Sequence, residues 1–184
     1  MNPPPTPSTT AVSFEVGVSP EAVREGLNTY RGVRRRFEYI LDTDEIVFID
    51  DYAHHPTEVR ATLEAARATF PERRIVVLFQ PHLYSRTRDF AGEFGAALAL
   101  GADVVALTEI YKARELPIDG VTSDLIAGAA ARSGHAPDWL GSRAQATQAL
   151  LSLVRTGDVV LTMGAGDVTQ VGPELLTALQ ARVS

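Results

Sequence analysis

RIVVLFQ, residues 74–80, is the stretch that decides how this chain folds. It contains five consecutive apolar residues, most of them β-branched or aromatic. An unbroken apolar run is typical of a strand covered on both faces, as in a parallel sheet. Similar runs are EIVFID (45–50), DVVALTEI (103–110) and DVVLTMG (158–164). Amphipathic segments separate them, with helix starts predicted near Pro56, Thr87, Thr122, Ser142 and Gly172. The order predicts an α/β fold: an open, doubly wound, mainly parallel sheet with helices on both faces.

Composition excludes several classes of protein. A chain of 184 residues suits one compact domain with a short appendage. A net charge of -6 with 17 Lys and Arg argues against a nucleic-acid partner. No cysteine is present, so disulfides and thiolate metal sites are excluded. The sequence has no signal peptide and no apolar run of about 20 residues that could span a membrane. We therefore expect a cytoplasmic protein with no membrane partner.

The N-terminal region is predicted to contribute little to the fold. Four of the first ten residues are proline, so residues 1–12 are predicted to form a disordered leader. Ser19 is suited to cap a short helix that begins at Pro20. GVRRRFEYI (32–40) and the run that follows it are predicted as two strands joined by a turn over residues 41–44.

Three chemically rich loops follow predicted strands. They are DDYAHHP (50–56), QPHLYSRTRD (80–89) and GAGD (164–167). In open α/β sheets, ligands bind beyond the carboxyl ends of the strands. We therefore expect these loops to lie together on one edge of the domain and to contain its function.

The first loop permits three interpretations. Pro56 suits a first helical turn and His55 can cap it, so the loop can be purely structural. An additional acid, a tyrosine and a second histidine exceed what capping requires, which favours an active site. A metal site would use Asp51, His54, His55 and His82, but no HxxxH or HxH spacing supports it.

The second loop is rich in hydrogen-bond donors. His82, Arg86 and Arg88 can bind a carboxylate or a phosphate. Arg88 can instead pair with Asp89 or Glu93 on the surface of a helix. Arg86 directly precedes a predicted helix, where a positive charge opposes the helix dipole, so Arg86 favours an anionic partner.

The remaining signals are weaker. The two glycines of GAGD permit close approach of a ligand or simply a tight turn. The three arginines at 34–36 form either a solvated edge strand or a basic patch that meets a polyphosphate. The sequence contains no GxxxxGK[ST] phosphate loop.

Four motifs, taken together, resemble a known family. DDYAHHPTE, FQPHLYSRTRDF, LTEIYKARELPIDGVTS and LTMGAGDV, in this order and spacing, are similar to the C-terminal domain of the alanine-adding members of the Mur ligase family. The resemblance covers roughly residues 11–180. It does not include the proline-rich leader predicted over residues 1–12. It implies the end of a central ATPase domain and linker over 13–35 and a Rossmann-like Mur ligase C-terminal domain over 36–184.

The resemblance implies part of an ATP-dependent ligase of peptidoglycan synthesis, which adds L-alanine to UDP-N-acetylmuramate. The muramoyl carboxylate would attack the γ-phosphate of ATP, and the amine of L-alanine would displace phosphate from the acyl phosphate. ATP and Mg2+ would be held mainly by a central domain that this chain lacks, so we expect the chain alone to be inactive. Arg36, Asp51 and Tyr52 would contact ATP, with Asp51 hydrogen-bonded to the ribose.

The resemblance also assigns residues to the amino acid. His54, His82 and Arg86 would surround L-alanine and the reacting carboxylate, with Arg86 binding the carboxylate of L-alanine. Some family members have a second arginine where this chain has Leu83, so Arg86 would bind the anion alone or with His82. The cleft would be lined at the amino-acid end by Gly164, Ala165, Gly166 and Asp167.

Two other functions remain open. One is a free-standing α/β metal-assisted hydrolase that uses Asp51, His54, His55 and His82. The other is a non-catalytic nucleotide-binding module. A stoichiometric transition metal would favour the first alternative, and tight binding of ATP to the isolated chain would favour the second.

Overall fold

Each apolar run predicted as a strand forms one in the structure. A computed structural model describes residues 7–29 and 33–183, which belong to two compact units, residues 1–34 and 35–184. The second unit contains one six-stranded sheet. Its strands are β1 (Glu38–Asp42), β2 (Ile46–Asp51), β3 (Ile75–Phe79), β4 (Val104–Thr108), β5 (Trp139–Gly141) and β6 (Asp158–Met163).

The sheet has the order β1-β2-β6-β3-β4-β5. Only β1 is antiparallel to its neighbour, and the other four pairings are parallel. The last strand in sequence, β6, therefore lies between β2 and β3 in the middle of the sheet. The mainly parallel sheet predicted from the apolar runs is confirmed, whereas the short edge strand β5 was not predicted.

Seven α-helices occur in the described residues. They are α1 (Pro7–Glu15), α2 (Pro20–Thr29), α3 (Pro56–Thr69), α4 (Tyr84–Gly101), α5 (Asp124–Arg132), α6 (Arg143–Leu153) and α7 (Val171–Val183), with a 3₁₀ turn at Asp167–Gln170. The starts predicted near Pro56, Ser142 and Gly172 agree to within one residue. However, α4 begins three residues before Thr87, and α5 begins two residues after Thr122.

Each central strand contributes side chains to two cores, because successive residues of a strand point to opposite faces. On one face, Val77 and Phe79 pack with Leu63 of α3, Phe94 of α4 and Ile126 of α5. On the other face, the alternate residues of β3 pack with α6 and α7. Helices thus cover both faces of the sheet, which explains why its strands lack polar alternation.

The structure corrects two predictions near the N-terminus. Part of the predicted disordered leader is helical, because α1 begins at Pro7, while residues 1–6 lie outside the described residues. The strand predicted over 32–40 begins only at Glu38. Arg35 and Phe37 have φ values of 56° and 49°, which a strand cannot contain. Their N–H groups donate to the carboxylates of Glu38 and Asp51 instead of to a neighbouring strand.

The turn between β1 and β2 is also shorter than predicted. β1 continues through Asp42, so the turn covers residues 43–45. Thr43 closes it, because its hydroxyl accepts the N–H of Ile46 at 3.0 Å.

None of the described helices is long and apolar enough to cross a membrane.

Two glycines of α4 provide a matched test of helix packing. A Cβ on Gly95 would lie 2.5 Å from the backbone nitrogen of Ala130 in α5, whereas a Cβ on Gly92 would meet nothing within 4 Å. We expect Gly95→Ala to lower the free energy of unfolding by about 1–3 kcal/mol through overpacking. Gly92→Ala should raise it by up to about 1 kcal/mol, because alanine favours a helix more than glycine does. Chemical denaturation of both variants measures the difference; equal effects would contradict the close α4–α5 packing.

Candidate functional site

Three loops emerge side by side because three parallel strands end in register. Met163, the last residue of β6, is aligned with Asp51 of β2 and with Phe79 of β3. Hydrogen bonds continue just beyond the strands, from Gly164 N to the Asp51 carbonyl at 3.2 Å and from Gln80 N to the Met163 carbonyl at 2.9 Å. The three predicted loops therefore do lie together at the carboxyl edge of the sheet.

The loop after β4 joins this edge through two backbone hydrogen bonds. Tyr111 N donates to the Pro81 carbonyl at 2.8 Å, and Leu83 N donates to the Tyr111 carbonyl at 3.0 Å. The Tyr111 ring stacks on His82 with a centroid separation of 5.8 Å and an interplanar angle of 17°. This fourth loop was not among the predicted site loops.

Four rings form a row across the edge. Tyr52 lies 5.0 Å from His54 and His54 lies 5.9 Å from His82, both edge to face, and Tyr111 completes the row. Ring contacts of this kind stabilise by about 0.5–1.5 kcal/mol each beyond their buried area. The two predicted histidines are therefore held together by aromatic packing from both sides.

Glu58 fixes the orientation of His54. Its carboxylate accepts the backbone N–H groups of His54 and His55 at 3.0 and 3.1 Å. Nδ1 of His54 lies 2.9 Å from the Tyr52 carbonyl and 3.2 Å from Glu58 Oε2. Burial acts to raise the pKa of Glu58, but the hydrogen bonds from His54 and His55 and the charges of His54 and Arg36 outweigh it and lower the pKa. Two acceptors at Nδ1 place the proton there and leave Nε2 of neutral His54 as an acceptor.

His82 lies just before α4 and Arg86 lies in its first turn, and the side chains of these two residues meet. A guanidinium nitrogen of Arg86 lies 3.5 Å from Nδ1 of His82 and 3.3 Å from the His54 carbonyl. Burial, then the charges of Arg86 and His54, lower the pKa of His82, against the opposing charge of Glu115. Since Nδ1 faces a donor, the proton of neutral His82 lies on Nε2.

Arg86 has no carboxylate partner among the residues that the structure describes. In contrast, Arg88, two residues further along the chain, pairs with Asp89 at 2.7 Å, which is one of the two partners predicted from the sequence. Arg86 is only partly exposed. A partly buried guanidinium with unused donors favours an anionic ligand.

Asp51, which is predicted to contact a nucleotide, also holds the backbone around it. Only 5% of it is exposed, and its two oxygens accept the N–H groups of Phe37 and Ala53, both at 2.7 Å. Burial is the largest influence and raises the pKa of Asp51. The hydrogen bonds from Phe37 and Ala53 and the charge of Arg36 oppose this shift, while Asp50 adds to it.

The consecutive arginines separate into different functions. Arg35 donates to buried Asp50 at 2.9 Å and to the Gly164 carbonyl at 2.6 Å, and it lies 5.0 Å from the centre of the Tyr52 ring. Arg35 thus joins the start of the domain to the site. Arg36 is mostly exposed and has only a loose contact of 3.7 Å with Glu58. Arg36 is therefore available to an external group.

GAGD packs tightly on Gln80, which sequence reasoning did not identify. The Gln80 amide donates to Asp167 Oδ1 at 2.7 Å and its oxygen accepts the N–H of Val168 at 3.0 Å. Gly164 has a φ of 147°, and a Cβ on Gly166 would lie 2.5 Å from the Tyr111 ring. Both glycines therefore have structural reasons to be glycine, and Ala165 between them is half-buried.

The geometry does not support the predicted alternative of a metal site. Within residues 7–29 and 33–183, no three His, Asp or Glu side chains come together as a metal would require. His55 caps α3, with Glu58 completing a capping box, and its ring packs on Phe90 at 5.1 Å rather than joining His54. The loop is thus both a helix cap and a site wall, made by different residues.

Comparison with known proteins agrees with this geometry. Residues 35–166, more than half of the chain, match the family described as Mur ligase, glutamate ligase domain. The chain belongs to the Mur ligase family.

Relatives of this Mur ligase domain have a consistent name. This chain is 49% identical over 176 residues to the UDP-N-acetylmuramate--L-alanine ligase of Mycobacterium sp. strain JLS. The match covers 94% of this chain and 35% of the relative. The corresponding ligase of Kineococcus radiotolerans is 51% identical over 170 residues, covering 92% and 36%. The chain therefore spans about a third of the length of the curated relatives that it matches.

Solved structures show the same fold. The UDP-N-acetylmuramate-alanine ligase of Thermotoga maritima superimposes with a TM-score of 0.78 at 30% identity, covering 95% of this chain and 36% of that one. A murein peptide ligase of Psychrobacter arcticus gives 0.65 at 26% identity, covering 92% and 35%. The predicted Mur ligase C-terminal fold is confirmed.

A titration of His82 tests the contact with Arg86. Removing the neighbouring positive charge in Arg86→Gln should make protonation of His82 easier and raise the pKa of His82 toward its ordinary value. NMR of the histidine ring protons as a function of pH measures this shift. Arg132→Gln on α5 is the matched control and should leave the His82 titration unchanged. An unchanged or lower pKa of His82 in Arg86→Gln would mean that the two side chains are not in contact.

Proposed function

We propose that this Mur ligase domain delivers L-alanine in an ATP-dependent reaction that joins it to UDP-N-acetylmuramate. The proposal rests on one observation above all: Arg86 lies without a carboxylate partner in the described structure, beside His54 and His82 at the carboxyl edge of the sheet. The names of the relatives support it, because they are UDP-N-acetylmuramate--L-alanine ligases at about half identity.

Arg86 would bind the carboxylate of L-alanine. Its guanidinium can donate two parallel hydrogen bonds to a carboxylate, which fixes the orientation of the amino acid as well as its position. Since His82 is kept neutral near pH 7 by its lowered pKa, the pair presents one positive charge to one negative charge. The amine of L-alanine is then directed toward the histidines.

The two histidines would have complementary hydrogen-bonding functions. L-Alanine must lose a proton before its amine can attack an acyl phosphate. Nε2 of His54 is an acceptor, and the Glu58 carboxylate at 3.2 Å from Nδ1 would stabilise the imidazolium that forms. Nε2 of His82 carries a proton and can donate to an oxygen that gains negative charge as the amide bond forms. One histidine thus accepts a proton while the other supplies a neutral donor.

Fewer side chains are free to contact the nucleotide than to contact the amino acid. Exposed Arg36 and the exposed ring of Tyr52 can contact ATP, whereas Asp51 already uses both oxygens for backbone N–H groups. A further hydrogen bond from Asp51 to the ribose is compatible with its remaining lone pairs. When bound, ATP would supply the γ-phosphate that activates the muramoyl carboxylate. Within the described residues, no three His, Asp or Glu side chains come together as a metal site, and from the family resemblance we assign Mg2+ mainly to a central domain outside this chain.

The reaction would need more protein than this chain provides. The chain covers about a third of its relatives and contains no phosphate loop. We therefore propose that the isolated chain does not catalyse ligation and that the activity belongs to the assembled ligase. Since ATP is a cytoplasmic metabolite, this proposal places the protein in the cytoplasm.

A chimera tests the proposed function. In the chimera, this chain replaces the matching third of the Mycobacterium ligase. Phosphate release by the chimera is measured with ATP, UDP-N-acetylmuramate and L-alanine. We expect activity that depends on all three, and none from the 184-residue chain alone. The Mycobacterium ligase lacking that third is the inactive control. An inactive but folded chimera, together with tight ATP binding by the isolated chain, would instead favour the nucleotide-binding module.

Two neighbouring arginines give a matched pair for the amino-acid site. In the chimera, Arg86→Gln should raise the KM for L-alanine by roughly ten- to a hundredfold, because a charge-assisted hydrogen bond to the substrate is lost. The KM for ATP should change little. Arg88→Gln removes the same charge two residues away, where it pairs with Asp89, and should leave both constants unchanged. Equal effects of the two variants would contradict the proposal that Arg86 binds the carboxylate of L-alanine.

A further inference from the structure

The start of α4 lacks a cap of its own. Leu83 occupies the N-cap position with a φ of 73°, and its side chain has no oxygen that could accept the first N–H groups of the helix. A helix leaves its first four N–H groups without partners, and Ser, Thr, Asp or Asn usually satisfies one of them. The helix that contains Arg86 therefore depends on a cap from elsewhere in the chain.

Glu115 supplies that cap from 30 residues away. Its carboxylate accepts the backbone N–H of Ser85 at 2.9 Å and the hydroxyl of the same serine through a short hydrogen bond. The Ser85 hydroxyl and then its N–H lower the pKa of Glu115, so the carboxylate is charged at neutral pH. A carboxylate that is charged at neutral pH thus lies at the positive end of the α4 dipole.

Glu115 belongs to a short stretch, residues 111–115, that we name the latch segment. Its first residue, Tyr111, makes the two backbone hydrogen bonds to Pro81 and Leu83 and stacks on the His82 ring. Its last residue holds Ser85. The segment therefore contacts the chain on both sides of Leu83, whose backbone adopts a conformation that a leucine rarely occupies. His82 and Arg86 lie at the two ends of the stretch fixed in this way.

We propose that Glu115 is a positioning residue that directs the substrate carboxylate to Arg86. This inference rests on the proposed function, because it concerns how L-alanine binds. The N-terminus of a helix attracts anions as a guanidinium does, so without Glu115 a carboxylate would have two neighbouring places to bind. Glu115 fills the first place with a carboxylate of the protein itself and leaves only Arg86 for the substrate.

The first part of the test uses the 184-residue chain and does not depend on ligase activity. Amide hydrogen exchange at Ser85 is measured in the wild type, Glu115→Ala and Glu115→Gln. We expect exchange to accelerate by about tenfold or more in Glu115→Ala, because the N–H loses its acceptor. Glu115→Gln should keep most of the protection, since its amide oxygen can still accept. Acetate should restore protection in Glu115→Ala by occupying the vacated position. Glu93→Ala, which removes an exposed carboxylate from the same helix, is the control and should change nothing.

The second part uses the chimera. Glu115→Ala should lower kcat/KM for L-alanine by roughly ten- to a hundredfold, because misplacement by about 1 Å costs this much, while the KM for ATP stays constant. Acetate should restore part of this loss in Glu115→Ala but not in Arg86→Gln, a rescue that general destabilisation would not produce.

The outcomes separate the two proposals. Unchanged Ser85 exchange in Glu115→Ala, or a loss of activity that acetate does not reduce, would overturn the function assigned to Glu115 while the proposed ligase activity stands. A chimera that is inactive with every natural residue in place contradicts the proposed ligase function, and the exchange and acetate measurements then still decide whether Glu115 positions the start of α4.

Discussion

The register of three parallel strands is the constraint on which the site depends. β2, β6 and β3 end at Asp51, Met163 and Phe79, which lie beside one another. A shift of one residue would turn every side chain of a strand to the opposite face, so the two apolar cores fix this register. The loops that follow inherit the alignment and bring side chains from distant parts of the sequence to one edge. The site is thus a consequence of core packing rather than of any one loop.

Two kinds of polar side chain meet at this edge, and their partners distinguish them. Asp50, Gln80 and Glu58 satisfy backbone or neighbouring side-chain donors and acceptors, so they build the loops. Within the part of the chain that the structure describes, Arg36 and Arg86 have no comparably close carboxylate partner, although arginines elsewhere in the domain do. Polar groups that are partly buried and incompletely paired cost free energy. On the proposed function, a bound carboxylate would offset that cost at partly buried Arg86, so unused donors rather than the density of polar groups support the assignment.

The sequence predicted what depends on local pattern. The apolar runs of β2, β3, β4 and β6, the helix start at Pro56 and the convergence of three loops all follow from periodicity and strand order. The predicted start of α4 was wrong because the residue that caps this helix, Glu115, lies 30 residues away in the sequence. The strand predicted over 32–40 begins only at Glu38, because Asp50 and Asp51 bind Arg35 and Phe37 from across the hairpin. The contribution of Gln80 depends on Asp167, 87 residues away. No local pattern contains such contacts.

On the proposed function, the residue at position 83 affects how strongly the site would bind L-alanine. Family members that have a second arginine at the position of Leu83 would present two guanidinium groups to the anion. This chain presents Arg86 beside a neutral His82. A single guanidinium that is partly exposed binds a carboxylate less tightly than a pair does. On the proposed function, tight binding of L-alanine alone would lower KM without accelerating the chemical step. In the same proposal, neutral His82 would donate a hydrogen bond where negative charge develops, so the charge of Arg86 would serve affinity and the N–H of His82 would serve the reaction.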